Sequence, residues 1–178
     1  MSIEQLKNQI PDYAKDIKLN LSAVMNPEGA PALSQNQIYL IALASAYATK
    51  NTNLINTMVN IIAPHLSENE IAAAKSAATI MAMNNIYYRF IHLVSDKSFA
   101  SLPAKLRMNI IGNPGIDKVD FEMCCLAVSA INNCGMCIDA HTRELGKAGV
   151  TQVAIQSAIR IASVLNATAT VMLIETIQ

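Results

Sequence analysis

Apolar residues in this chain gather into long stretches delimited by helix start and stop signals. The alternation that marks half-buried strands is nearly absent. Ser2 with Gln5, Ser34 with Gln37 and Ser67 with Glu70 have the spacing of a capping box, in which two side chains satisfy each other's backbone amides. Pro11, Asn26-Pro27-Glu28-Gly29, Pro103 and Asn113-Pro114-Gly115 punctuate the chain as turns. Between these signals the pattern predicts helices over about 3–9, 12–24, 35–49, 53–65, 68–93, 104–111, 119–132, 135–148 and 152–176. The expected fold class is all-α.

A shift of 84 residues lays Ser45-Ala46 on Ser129-Ala130. It also lays Ser67, Ile71, Ala74 and Ala78 on Thr151, Ile155, Ala158 and Ala162. The chain is therefore expected to be one domain, 1–178, containing a weak repeat of a helical unit in halves of about 34–93 and 118–177. The halves are not chemically equivalent. Lys50, Asn53 and Thr57 stand in the first half where the second has Cys134, Cys137 and His141.

Composition adds three constraints. Apolar residues make up 52% of the 178 and charged residues 15%, an excess that a subunit interface would bury. Thirteen basic residues balance thirteen acidic ones, which gives no electrostatic case for nucleic acid or an anionic membrane. The first residues lack the basic-then-apolar layout of a signal peptide. The longest apolar candidate for a span, Ile71 to Ile86, is broken by Lys75, Asn84 and Asn85. A cytoplasmic location is the expectation, and there paired cysteines point to redox work or a metal rather than to structural disulfides.

Cys134-Gly135-Met136-Cys137 supplies the pair. Asn132-Asn133 ends one predicted helix and Cys134 opens the next. The first thiol therefore meets unpaired amides and the positive end of the helix dipole, which favour a thiolate. Spacing of this kind also lets the two sulfurs bond without moving the fold. Cys134, as the first residue of its helix, is expected at an exposed lip, with Cys137 one turn deeper. At 100° per residue Cys134, Ile138, His141, Leu145 and Ala148 share a stripe, with Cys137 on its flank and Asp139, Arg143 and Lys147 opposite. From there His141 is placed to take a proton from Cys137, directly or through a water. Glu122 is the only charge in Phe121–Ile131 and, with the two helices side by side, is expected to reach His141 and fix its tautomer.

Other readings of these residues stand beside that one. Glu122 also fits a first-turn acid complementing the dipole, and His141 a satisfied core histidine. Cys124 and Cys125 read as small core residues, the nine methionines as core filler, and His65 and His92 as surface or capping residues. A zinc site would use Cys134, Cys137 and His141 with Glu122 or Cys125, although three of those ligands share one helix. A cofactor-free decarboxylase or isomerase with His141 as base, or a partner-binding helical module, would leave the two cysteines idle.

Glu122-x11-Cys134-x2-Cys137-x3-His141 resembles the alkyl hydroperoxide reductase D (AhpD) family, within the carboxymuconolactone decarboxylase-like superfamily. The likeness extends over nearly the whole chain. It takes in residues 13–21, Met83-Asn84-Asn85 with Tyr88-Arg89, residues 106–111, Asn113-Pro114-Gly115 and Ser129-Ala130-Ile131-Asn132. The resemblance implies an all-helical, generally homotrimeric subunit in peroxide defence. Such a subunit recycles the peroxiredoxin AhpC and reduces alkyl hydroperoxides weakly by itself. It binds no cofactor and works through a redox-active disulfide, Cys134–Cys137, with electrons from the lipoyl group of a lipoylated dehydrogenase-complex subunit. By motif position Cys137 is the thiol activated by Glu122 through His141 and oxidised to sulfenic acid. Cys134 closes the disulfide and exchanges with AhpC. Some members carry a histidine between the cysteines; Met136 cannot relay a proton, so any relay here runs through Glu122 and His141.

Overall fold

The computed structural model describes residues 2–177, and the described residues form helices and loops with no strand. Nine α-helices follow one another: α1 (Ile3–Asn8), α2 (Lys15–Val24), α3 (Gln35–Thr49), α4 (Thr52–Ile62), α5 (Glu68–Leu93), α6 (Asn109–Gly112), α7 (Lys118–Ile131), α8 (Gly135–Lys147) and α9 (Gln152–Glu175). The all-α expectation holds. All three capping boxes form, at the starts of α1, α3 and α5. At α5, for example, the Glu70 amide donates to Ser67 Oγ at 3.3 Å and the Ser67 amide to Glu70 Oε2 at 2.7 Å. A cap of this kind contributes about 0.5–2 kcal/mol.

The differences from the sequence reading fall where local geometry interrupts the apolar pattern. Asp12–Ala14 and Ala63–His65 are 3-10 turns at the edges of α2 and α4, the second containing Pro64. The helix expected over 104–111 shrinks to α6. Residues 103–108 have no regular structure, and Lys105 sits at φ 51°, a left-handed value that a helix interior does not accept. Before it, Lys97–Ser101 forms one 3-10 turn.

Two helices form the centre. In α3 every residue from Leu40 to Ala46 is buried, and in α7 every residue from Phe121 to Ser129. A helix apolar on all sides belongs inside the protein. Accordingly α3 packs on α5, α7 and α9, and α7 on α5, α8 and α9. The longest apolar helix is α9 rather than the 71–86 stretch. By length and composition it is the one described helix able to cross a membrane, yet Ile161, Ala162 and Leu165 are buried against this core.

The loop between α7 and α8 sets the site. Asn133 adopts a left-handed conformation at φ 57°. The Asn133 amide donates to Ala130 O and the Cys134 amide to Ser129 O, both at 3.1 Å. This pair of bonds is a Schellman ending for α7. Cys134 is at the same time the N-cap of α8, its Sγ accepting from the Cys137 amide at 3.3 Å. One residue closes one helix and opens the next, so α8 has little freedom relative to α7.

Candidate active site

Cys134 and Cys137 are joined as a disulfide, with their Cα atoms 5.3 Å apart. The expected exposure of the two is reversed. Cys134 is fully buried, because its amide and sulfur are both engaged at the helix corner. Cys137 is 6% exposed and lines a cavity of about 350 Å³ between α5, α6 and α8.

The structure brings Glu122 and His141 together, as expected from packing α7 against α8. His141 Nδ1 lies 2.6 Å from Glu122 Oε2, and both side chains are buried. With Glu122 ionised, Nδ1 carries the proton and donates it to the carboxylate, which leaves Nε2 as the basic nitrogen. That nitrogen faces Met81 Sδ at 3.3 Å. No hydrogen bond joins His141 to Cys137; the two share the cavity wall.

Met81 was expected to be core filler. It is buried, but it also ends a hydrogen-bonded chain that starts at the α7–α8 corner. Asn132 Nδ2 donates to Asn85 Oδ1 at 2.9 Å, and Asn85 Nδ2 to Ser129 Oγ at 2.9 Å. Ser129 Oγ in turn donates to Met81 Sδ at 3.4 Å. Arg89 Nη1 holds the Asn132 carbonyl at 2.9 Å, so it does more than form the polar end of α5. The polar residues of α5 thus fix the corner that carries Cys134 and, through Ser129, hold the thioether that packs against His141.

Apolar side chains dominate the cavity: Met81, Met108, Ile111, Met136 and Ala140, with Tyr88 beside them. Glu122, His141 and Asn84 supply its polar groups, and Arg143 and Glu144 stand at its edge. Arg143 was expected on the opposite face of α8; its long side chain reaches the rim. Asn84 is 4% exposed, and its Oδ1 is buried without a hydrogen-bond partner. Leaving such an atom unpaired costs about 1–3 kcal/mol. Periodicity marked Asn84 only as an interruption in an apolar run, and nothing in the sequence distinguished its role from that of Asn85.

Cys124 and Cys125 are free, fully buried thiols in α7, as their reading as core residues requires. Burial pushes both well above the ordinary thiol range, with the charges of Asp120 near Cys124 and Glu122 near Cys125 adding to the shift. Among the described residues no group of three or more His, Cys, Asp or Glu side chains is placed to hold a metal ion, and two ligands of the zinc alternative are tied up in the disulfide.

An all-helical domain with a closed Cys-x-x-Cys at a helix start, beside a buried carboxylate–imidazole pair, defines the class of protein. Comparison with known sequences narrows it. The family model for the carboxymuconolactone decarboxylase family matches residues 98–174. A protein of Coxiella burnetii named alkyl hydroperoxide reductase AhpD is 56% identical over 173 residues, covering 97% of this chain and 98% of its own. Proteins of the same name from Bradyrhizobium sp. and Azorhizobium caulinodans are 53% and 52% identical, covering 95% and 93% of this chain and 92% and 90% of their own. The chain belongs to the AhpD family.

Proposed function

We propose that this protein is an alkyl hydroperoxide reductase of the cytoplasm that also regenerates the peroxiredoxin AhpC. The observation that carries the proposal is the direct contact of buried Glu122 with His141 on the wall of the cavity that holds Cys137 of the disulfide. In the dithiol form, His141 Nε2 takes the Cys137 proton while Glu122 stabilises the imidazolium. The Cys137 thiolate attacks the terminal oxygen of the hydroperoxide and the O–O bond breaks. The alkoxide leaves with the proton held on His141, and Cys137 becomes a sulfenic acid. Cys134 then displaces water and closes the disulfide.

A dithiol, the reduced lipoyl group of a dehydrogenase-complex subunit, returns the two electrons. Cys134 passes them to the disulfide of AhpC through a mixed disulfide. Self-association is supported by the exposed Ile86, Phe90 and Leu93, which share one side of α5, with Phe99 packed edge-on against Phe90, and the family resemblance supplies the count of three. Within each subunit, the single domain of two repeated helical units is supported by helix spacing. Helices α3, α4 and α5 begin 83 or 84 residues before α7, α8 and α9.

The test is reconstitution with a lipoylated donor subunit, dihydrolipoamide dehydrogenase and AhpC, following NADH oxidation on addition of cumene hydroperoxide. Turnover that requires this chain, the donor subunit and the dehydrogenase is expected, with a slower rate remaining when AhpC is left out. Turnover independent of this chain would overturn the proposal. In the same mixture Cys137→Ser should trap a mixed disulfide with AhpC and Cys134→Ser should not.

A further inference from the structure

Asn84 and Asn85 are adjacent on α5 and both nearly inaccessible, but their surroundings differ. Asn85 spends its carbonyl on Asn132 and its amide on Ser129. Asn84 Oδ1 has no partner, and the residue stands on the wall of the same cavity as Cys137 and His141. Buried side-chain amides are nearly always satisfied, so an unsatisfied one on the wall of the cavity that Cys137 lines calls for a ligand. The remaining wall is largely apolar and suits a hydrocarbon group.

We propose that Asn84 is a substrate-binding residue, the hydrogen-bonding anchor for the peroxide group of an alkyl hydroperoxide whose hydrocarbon part lies among Met108, Ile111 and Met136. This deepens the function proposed above and rests on it. A hydroperoxide has one O–H donor and two acceptor oxygens, and a carboxamide offers the complementary acceptor and donor. A half-turn of the amide exchanges its oxygen and nitrogen without changing shape, so either end can meet the cavity. Donation from Nδ2 to the alkyl-bearing oxygen stabilises that oxygen as the O–O bond breaks and negative charge moves onto it. Sulfur takes up the terminal oxygen, and the alkoxide receives the proton from His141.

The experiment compares two reactions of Cys137 in the reduced full-length protein. Iodoacetamide needs the thiolate but no peroxide anchor, whereas cumene hydroperoxide needs both. Asn84→Leu, of similar volume, should slow disulfide formation by cumene hydroperoxide on the order of tenfold or more. Its iodoacetamide rate should stay within about twofold, and its melting temperature should not fall, because an unsatisfied polar group has been replaced by an apolar one. Asn84→Ser, which keeps a donor and an acceptor, should recover part of the peroxide rate. Equal loss in both reactions would make Asn84 structural, and no loss in either would remove it from the site; each result overturns the proposal. A parent protein that alkylates normally but ignores hydroperoxides would overturn the functional reading itself, and this inference with it.

Discussion

The thioether of Met81 lies 3.3 Å from Nε2 of His141, on the edge of the ring opposite the Nδ1 that binds Glu122. A carboxylate on α7 therefore holds one nitrogen, and a sulfur on α5 packs against the other. Sulfur is a weak acceptor with no proton to give, so it leaves the basic Nε2 unbonded in the neutral ring and accepts from it only once the imidazolium has formed. Met81→Leu keeps the volume and removes the acceptor. Stability should change by less than about 1.5 kcal/mol, as for other volume-conserving swaps. Peroxide-driven disulfide formation should slow several-fold because the imidazolium that forms when Nε2 takes the proton loses its acceptor. Thermal unfolding and single-turnover rates measured together decide this. A rate equal to the parent's would mean that Glu122 alone stabilises the imidazolium.

His141→Ala and Glu122→Gln probe the other edge of that ring. Loss of a positioned base costs about 10²–10⁴-fold, so His141→Ala should slow Cys137 alkylation into that range at neutral pH. Glu122→Gln retains a hydrogen-bond acceptor for Nδ1 but not the charge that stabilises the imidazolium, and its effect should be smaller. Alkylation profiles of both variants from pH 5 to 9 that superpose on the parent's would show that the pair does not activate Cys137.

How much of this site is legible in the sequence depends on the kind of signal each residue leaves. Cys134, Cys137 and His141 stand out by residue type and spacing. Glu122 stands out as a lone charge in an apolar helix, and the structure places it against His141. Met81 and Asn84 leave no such mark, since one looks like filler and the other like an irregularity, and only the packing of α5 against α7 and α8 gives them neighbours. The burial of Cys134 was also illegible. A first residue of a helix is ordinarily accessible, but here the same residue finishes the Schellman ending of α7, and that double duty turns it inward. The capping boxes, by contrast, are purely local and were readable in full.

Accessible thiol content offers a direct check on the division of labour among the four cysteines. Burial holds Cys124 and Cys125 protonated well beyond the pH at which an ordinary thiol ionises. A thiol whose value is raised stays neutral and unreactive as pH increases through the usual range. The native oxidised protein should therefore give no titratable thiol from pH 7 to 9; in the native reduced protein reagent should reach Cys137 first, through the cavity, and Cys134 only as the helix corner opens. Unfolded protein should give two before reduction and four after. Reagent uptake by Cys124 or Cys125 in the native state at pH 8, located by peptide mapping, would contradict the burial described here.

Reduction of the disulfide should begin at Cys137. An incoming thiolate must approach along the S–S axis, and the cavity opens onto Cys137 while Cys134 is enclosed by the helix corner. Attack at Cys137 also leaves the better-placed leaving group. The released Cys134 sulfur stays at the N-cap of α8, where the Cys137 amide already donates to it and the helix dipole favours negative charge. The exchange with AhpC proposed for Cys134 would then use the thiolate that this step sets free, once the corner opens to admit a protein disulfide. Brief exposure of the oxidised protein to a small monothiol, followed by acid quenching and alkylation of the unfolded protein with iodoacetamide, should yield the reagent disulfide on Cys137 and the alkyl group on Cys134. Peptide mass spectrometry distinguishes the two, and the opposite labelling would mean that the buried sulfur is the one attacked.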